Sequence, residues 1–194
     1  MSCQELNINL PSMNRLNALL KLKPYIGSEK TLVISSSEFG IEKYEEFQDK
    51  IFVHFVPGSR LLRYDSDQRE LLQEHIEKKS CSQLIFVGSM DPALMARLQN
   101  DDSVCSLNSA VTFNMKPLLR AKHDKAIDPG IKTQILIELN TISQCKLLLD
   151  YFFIRERVEK NKLQVKGLVT EFGTDRLKSV FQNGIVYNDL LTLN

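Results

Sequence analysis

Three compact apolar runs, each followed by turn residues, dominate the first half of the chain. Thr31-Leu32-Val33-Ile34-Ser35, Ile51-Phe52-Val53-His54-Phe55-Val56 and Leu84-Ile85-Phe86-Val87-Gly88 show little polar alternation. Runs of this kind predict strands buried on both faces, as in a parallel sheet. Between them, polar positions return at helical spacing. Asp67 to Lys79 gathers Leu71, Leu72, His75 and Ile76 on one face, predicting a helix capped near Ser66 or Asp67. Residues 11–25 carry Leu16, Leu19, Leu20 and Leu22 among polar residues, a short amphipathic helix opened by Pro11-Ser12 and closed near Pro24. Glu42 to Gln48 predicts a helical turn. Asp91 suits a helix cap and Pro92 a first helical position, with the helix running to Leu98.

The second half reads differently. Val111 to Met115 is a candidate fourth strand, and Lys116 to Gly130 is polar and ends in the loop signal Asp128-Pro129-Gly130. From Ile131 to Val158, apolar residues (Ile131, Ile135, Leu139, Ile142) recur at helical spacing, predicting one long helix, or two broken near Ser143. Leu163 to Thr170 alternates as a half-buried strand does. Gly173-Thr174-Asp175 turns, and Arg176 to Phe181 returns as an antiparallel partner. Strands alternating with helices predict an α/β fold: a central parallel sheet flanked by helices, closed by a C-terminal antiparallel hairpin. In such sheets ligands lie beyond the carboxyl ends of the strands. Here those ends are Ser36 to Gly40, Phe55 to Ser59 and Gly88 to Pro92. No repeat divides the chain, and no linker does unless 116–130 is one, so residues 1–194 are expected to form one domain with an N-terminal helical arm at about 4–25.

Composition narrows the function classes. The 194 residues are 43% apolar, with 25 Lys plus Arg against 24 Asp plus Glu. That balance supplies no field for nucleic acid or an acidic membrane. The basic stretches Arg60, Arg63, Arg69 and Lys116, Arg120, Lys122, Lys125 lack interleaved aromatics and read as solvated faces. No apolar run approaches the ~20 residues that span a bilayer. Met1 to Leu10 lacks a secretory pattern, so a cytoplasmic protein is expected. Cys3, Cys81, Cys105 and Cys145 are scattered, as are His54, His75 and His123, and no CxxC or HxxxH occurs. Spacing alone therefore offers no metal site.

The three strand blocks, in this order and spacing, resemble the β-class carbonic anhydrases. Thr31 to Ile41 is similar to that family's first strand, which normally ends in Cys-Ser-Asp-Ser-Arg. Ile51 to Ser59 is similar to the second, normally followed by Arg-Asn-x-x-Asn. Leu84 to Pro92 is similar to the third, which normally ends in Gly-His-x-x-Cys-Gly. The long helix and Lys162 to Val169, with Gly167 inside, resemble the family's closing helix and strand. The resemblance implies a dimer with the N-terminal helix and edge strands in the interface. The family's zinc is held by the first Cys, the His and the second Cys. By the resemblance those positions are Ser36, Ser89 and Pro92. The Asp-Arg dyad falls on Glu38 and Gly40, with Phe39 between them. Phe55 replaces an Arg, and Val56 and Ser59 replace Asn. Of the site's signature, Gly88 is kept.

These replacements change the chemistry expected. Zinc favours thiolate sulfur and imidazole nitrogen. A serine hydroxyl stays protonated near neutral pH, and proline offers no side-chain donor. Hydration of carbon dioxide needs hydroxide, which bound zinc supplies by lowering water's pKa from about 15.7 to about 7. General acid–base help alone is worth ~10²–10⁴-fold. The expectation is a protein without the zinc site, with no carbonic anhydrase activity, acting as a homodimer on an unknown small molecule or protein partner. Glu38, Phe39, Phe55, Ser59, Met90 and Asp91 are the candidate pocket residues. Two rival readings remain open at this point. One is an enzyme of another class using Glu38 and Asp91. The other is a carbonic anhydrase with an unconventional metal site, using His54 or Cys81.

Overall fold

The computed structural model describes residues 22–35, 49–56, 61, 65–88, 129–170 and 176–187. Thr31–Ser35 forms β1, Ile51–Phe55 β2 and Gln83–Gly88 β3. β1 and β3 are buried at every position, whereas β2 is mostly half-buried. The topology explains the difference. The sheet order is β2-β1-β3-β4-β5-β6, so β2 is an edge strand and β1 and β3 lie inside. β4 (Gln164–Thr170) runs parallel to β3, while β5 (Leu177–Gln182) and β6 (Ile185–Val186) are antiparallel. Among the described residues the parallel core thus has four strands, the fourth being β4. The predicted strand at Val111 to Met115, the helices before Leu22 and after Asp91, and the turn at Glu42 to Gln48 lie outside the described residues.

Three local readings are corrected. The helix α1 (Ser66–Gln73) is capped by Asp65, whose carboxylate accepts from the Gln68 N–H at 2.9 Å. Ser66 and Asp67 are inside it. α1 then continues as a π-turn, Glu74–Lys78, closed by the Lys79 N–H on the Glu74 carbonyl. The long helix α2 spans Pro129–Asp150 without a break at Ser143. Proline and glycine open it instead of ending a loop, because a proline costs no hydrogen bond in a first turn. The break comes at Tyr151, before α3 (Phe152–Glu159). Finally, β6 is not among the predicted elements. Asn183 and Gly184 turn into it with φ of +50° and +96°. Those values suit the tight turn that Asn-Gly favours in hairpins.

The sheet separates two apolar clusters. The larger holds Leu32, Ile34, Leu72, Ile76, Leu84, Phe86, Cys145, Leu148, Ile154, Val165 and Phe181 under α1, α2 and α3. The smaller holds Leu22, Val33, Ile51, Ile85, Val87, Leu168 and Leu177 on the other face. Each such side chain contributes about 1.5–3 kcal/mol through removal from water. α2 comes close to the sheet because Gly88 and Gly167 lack side chains: an added Cβ on Gly167 would lie 2.8 Å from Cys145 Sγ. Polar groups at the amino end are paired. The buried Thr31 hydroxyl donates to Gln83 Oε1 at 2.9 Å, and Gln83 Nε2 donates to the Tyr25 carbonyl.

Candidate functional site

The carboxyl ends of the parallel strands lie side by side. Ser35 pairs in register with Phe55 on β2 and Val87 on β3, and Gly88 pairs with Val169 on β4. Ser35 is fully buried at its tip. Behind Gly88 stands α2: Ile137 and Thr141 occupy the space a side chain would need. Thr141 donates its hydroxyl to the Ile137 carbonyl at 2.8 Å. Gln144, one turn on, accepts the Leu61 N–H at 2.8 Å through its Oε1. That bond ties the chain beyond β2 to the middle of α2, since Leu61 and Gln144 are both buried.

Of the candidate pocket residues, Phe55 is described. It packs half-buried against the smaller cluster with Tyr25, Ile26 and Val53. It therefore lies on the sheet face away from α2. Glu38, Phe39, Gly40, Ser59, Met90 and Asp91, with Ser36, Ser89 and Pro92, lie outside the described residues. In sequence, Ser36 follows directly on the last residue of β1, and Ser89 on the last residue of β3.

The donors proposed for an unconventional metal site are dispersed. Cys81 precedes β3, at the amino end of the sheet, and is buried. Burial pushes its thiol up to about 11, against the opposing pull of Lys30 and Lys79. Cys145 is enclosed by core, and burial drives its thiol up further. Neither is a ready thiolate. His54 lies on edge strand β2, and burial, followed by the neighbouring His75, holds its imidazole below the ordinary value despite Asp65. His75 is engaged: its Nδ1 donates to the Leu71 carbonyl at 2.9 Å, which leaves Nε2 to accept from Lys79 Nζ at 3.3 Å. Lys79 also pairs with Glu74 and lies over the Phe52 ring. Among the described residues, no three His, Cys, Asp or Glu side chains converge as a metal site.

One charged group here escaped the sequence reading. Glu138 is only 1% exposed, on α2 one residue beyond Ile137. Its Oε1 accepts from Gln134 Nε2 at 2.8 Å and lies 3.9 Å from Lys178 Nζ on β5. Its Oε2 is buried with no hydrogen-bond partner among the described residues. Lys178 pairs with Val169, itself opposite Gly88, so the carboxylate sits level with the carboxyl ends of β3 and β4. The available signal was a lone acid inside an apolar helical stretch, with Gln134 four residues before it.

No family model matches the sequence, and no curated protein matches it. Solved structures do. The β-carbonic anhydrase CafD of Aspergillus fumigatus aligns over 79% of this chain and 90% of its own, at 18% identity and a TM-score of 0.56. A tetrameric β-carbonic anhydrase of Sordaria macrospora covers 87% and 93%, at 17% identity and 0.57. The Coccomyxa β-carbonic anhydrase, solved with acetazolamide, covers 89% and 82%, at 13% identity and 0.54. Identities this low speak to architecture and not to chemistry. By sheet order, by its antiparallel closing strands and by these likenesses, the chain has a β-carbonic-anhydrase-like α/β fold.

Proposed function

We propose that this chain is a β-carbonic-anhydrase-like protein that has lost the zinc site and acts by binding, without hydrating carbon dioxide. The reading rests on donor chemistry. The positions that would carry two thiolates and an imidazole hold Ser36, Pro92 and Ser89. Two of them follow directly on the tips of adjacent parallel strands, β1 and β3. A protonated hydroxyl is a weak zinc ligand and a pyrrolidine ring is none. Structural zinc sites in small peptides bind with about 10–16 kcal/mol of apparent free energy, a total that needs all the ligands at once. The residues present do not fit the ion.

Metal analysis of protein purified without chelator, together with stopped-flow hydration of carbon dioxide, tests the reading. The expected result is no stoichiometric zinc and a rate equal to the buffer's. One tightly held zinc per chain, or fast bicarbonate production, would sink it. Self-association belongs to the same proposal, since a structural neighbour is tetrameric. Sedimentation velocity should return a dimer or larger, and a monomer at micromolar concentration would count against it.

A further inference from the structure

We propose that His75 and Lys79 form a pH-operated latch on the edge strand β2: the neutral imidazole holds the Lys79 ammonium over the Phe52 ring, and its protonation releases the lysine. The hydrogen bonds define the closed state. His75 Nδ1 donates to the Leu71 carbonyl at 2.9 Å, so the neutral ring keeps its lone pair on Nε2. Lys79 Nζ donates to that lone pair at 3.3 Å. The same ammonium lies 3.3 Å from Glu74 Oε1 and 4.8 Å from the Phe52 centroid. The Phe52 and His75 rings meet edge-on, with centroids 5.1 Å apart. Four side chains thus close one contact between β2 and the π-turn Glu74–Lys78 with its cap Lys79. Such π-turns frequently mark functional positions in a helix.

Protonation is incompatible with this arrangement. A proton on Nε2 puts an N–H where the acceptor was, facing an ammonium across 3.3 Å. Nδ1 keeps its bond to Leu71 in either state, so the ring stays and the lysine moves. Lys79 is free to do so, since its side chain is 37% exposed on a flexible four-carbon stem. Its departure uncovers the Phe52 ring. Among the described residues, three elements bring charge to the contact: Glu74 and Lys79 at the two ends of the π-turn, His54 on β2, and Asp65 at the cap of α1. His54 lies within reach of His75: burial first, and then His75, lower its imidazole, while Asp65 pulls the other way. Charge on His75 thus opposes charge on His54, and one imidazole operates the latch. β2 ends at Phe55, in register with Ser35, so the latched strand borders the candidate site.

The inference goes beyond the binding reading above and does not depend on the zinc donors. NMR of the full chain from about pH 8 to about pH 5, the window in which imidazoles change charge, tests it. At the upper end, long-range nitrogen–proton spectra should show His75 protonated at Nδ1, and the Phe52 ring should shift the Lys79 Hε signals upfield. On acidification that upfield shift should vanish with the midpoint of the His75 imidazole. Hydrogen-exchange protection at β2 should fall over the same range while that at β3 holds. H75Q keeps a hydrogen-bond acceptor that does not titrate, so its Lys79 signals should stay in place. H54Q should retain the transition. Should H75Q fail to fold, the wild-type tautomer and the shared midpoint still decide. A neutral His75 protonated at Nε2 overturns the proposal, as do Lys79 signals that ignore the His75 titration. A transition retained in H75Q or lost in H54Q, or β2 protection that holds on acidification, overturns it too.

Discussion

Gly88 offers a sharp test of how α2 is seated on the sheet. An ideal Cβ there would fall 1.9 Å from Thr141 Oγ1 and 3.3 Å from Thr141 Cβ and Ile137 Cγ2. The glycine's φ is outside the left-handed region, so any cost of G88A is steric and not conformational. Thr141 must swing its hydroxyl clear and surrender its bond to the Ile137 carbonyl, worth about 0.5–1.5 kcal/mol. Further crowding follows, because Thr141 is fully buried and Ile137 Cγ2 also lies 3.3 Å from the new Cβ. Overpacking of this kind costs about 1–3 kcal/mol. Together the expected loss is about 1.5–4.5 kcal/mol, or a Tm drop of about 3–18 °C for a domain of this size. In a T141A background the 1.9 Å clash is gone and two contacts at 3.3 Å remain, so the added cost of G88A should fall below about 1 kcal/mol. Urea unfolding followed by circular dichroism at fixed protein concentration measures all four corners of the cycle, the chain having no Trp to report by fluorescence. If G88A costs the same with and without Thr141, the seating described here is wrong.

Other expectations follow from single contacts. Q144A removes the acceptor of the buried Leu61 N–H and should cost about 1–3 kcal/mol, read as a lower urea midpoint at unchanged slope. The His54 imidazole is held below its ordinary 6.5, so the unfolded chain protonates first as pH falls. Its contribution is therefore complete above about pH 6.5 and is lost below it; a urea midpoint that falls on acidification, and falls less in H54Q, is the expected pattern. Cys81 and Cys145 are both buried and both shifted toward the thiol, so mass-spectrometric mapping of iodoacetamide adducts near neutral pH should find them unmodified until denaturant is added.

Much of the architecture was legible because it follows from burial. β1 and β3 are interior strands, and their unbroken apolar runs say so. β2 reads equally apolar yet lies at an edge, a difference that hydrophobicity along one strand does not encode. The Ser143 break failed for a similar reason. Thr141 and Gln144 look like interruptions of the apolar face, but their polar atoms are satisfied within α2 or by Leu61, so the helix runs on. The Asn183-Gly184 turn was present in the letters and went unread, since β6 after it is only two residues long. Glu138 was hidden by convention: a lone acid on a helix is expected to face water, and only the tertiary arrangement buries it against β5.

Among the described residues, the contacts that hold this fold lie along the strands and under α2. Thr31 with Gln83 satisfies the amino end of the sheet, Gly88 and Gly167 seat α2, and Gln144 fastens the chain beyond β2. Apolar burial is likewise concentrated along the strands, at Leu32 to Ile34 and Leu84 to Val87, before either tip is reached. A substitution beyond the end of a strand leaves this buried core in place. The same reasoning explains how a chain at 13–18% identity to β-carbonic anhydrases shares their fold. A shared fold at such identity therefore leaves the chemistry to be decided by the site residues.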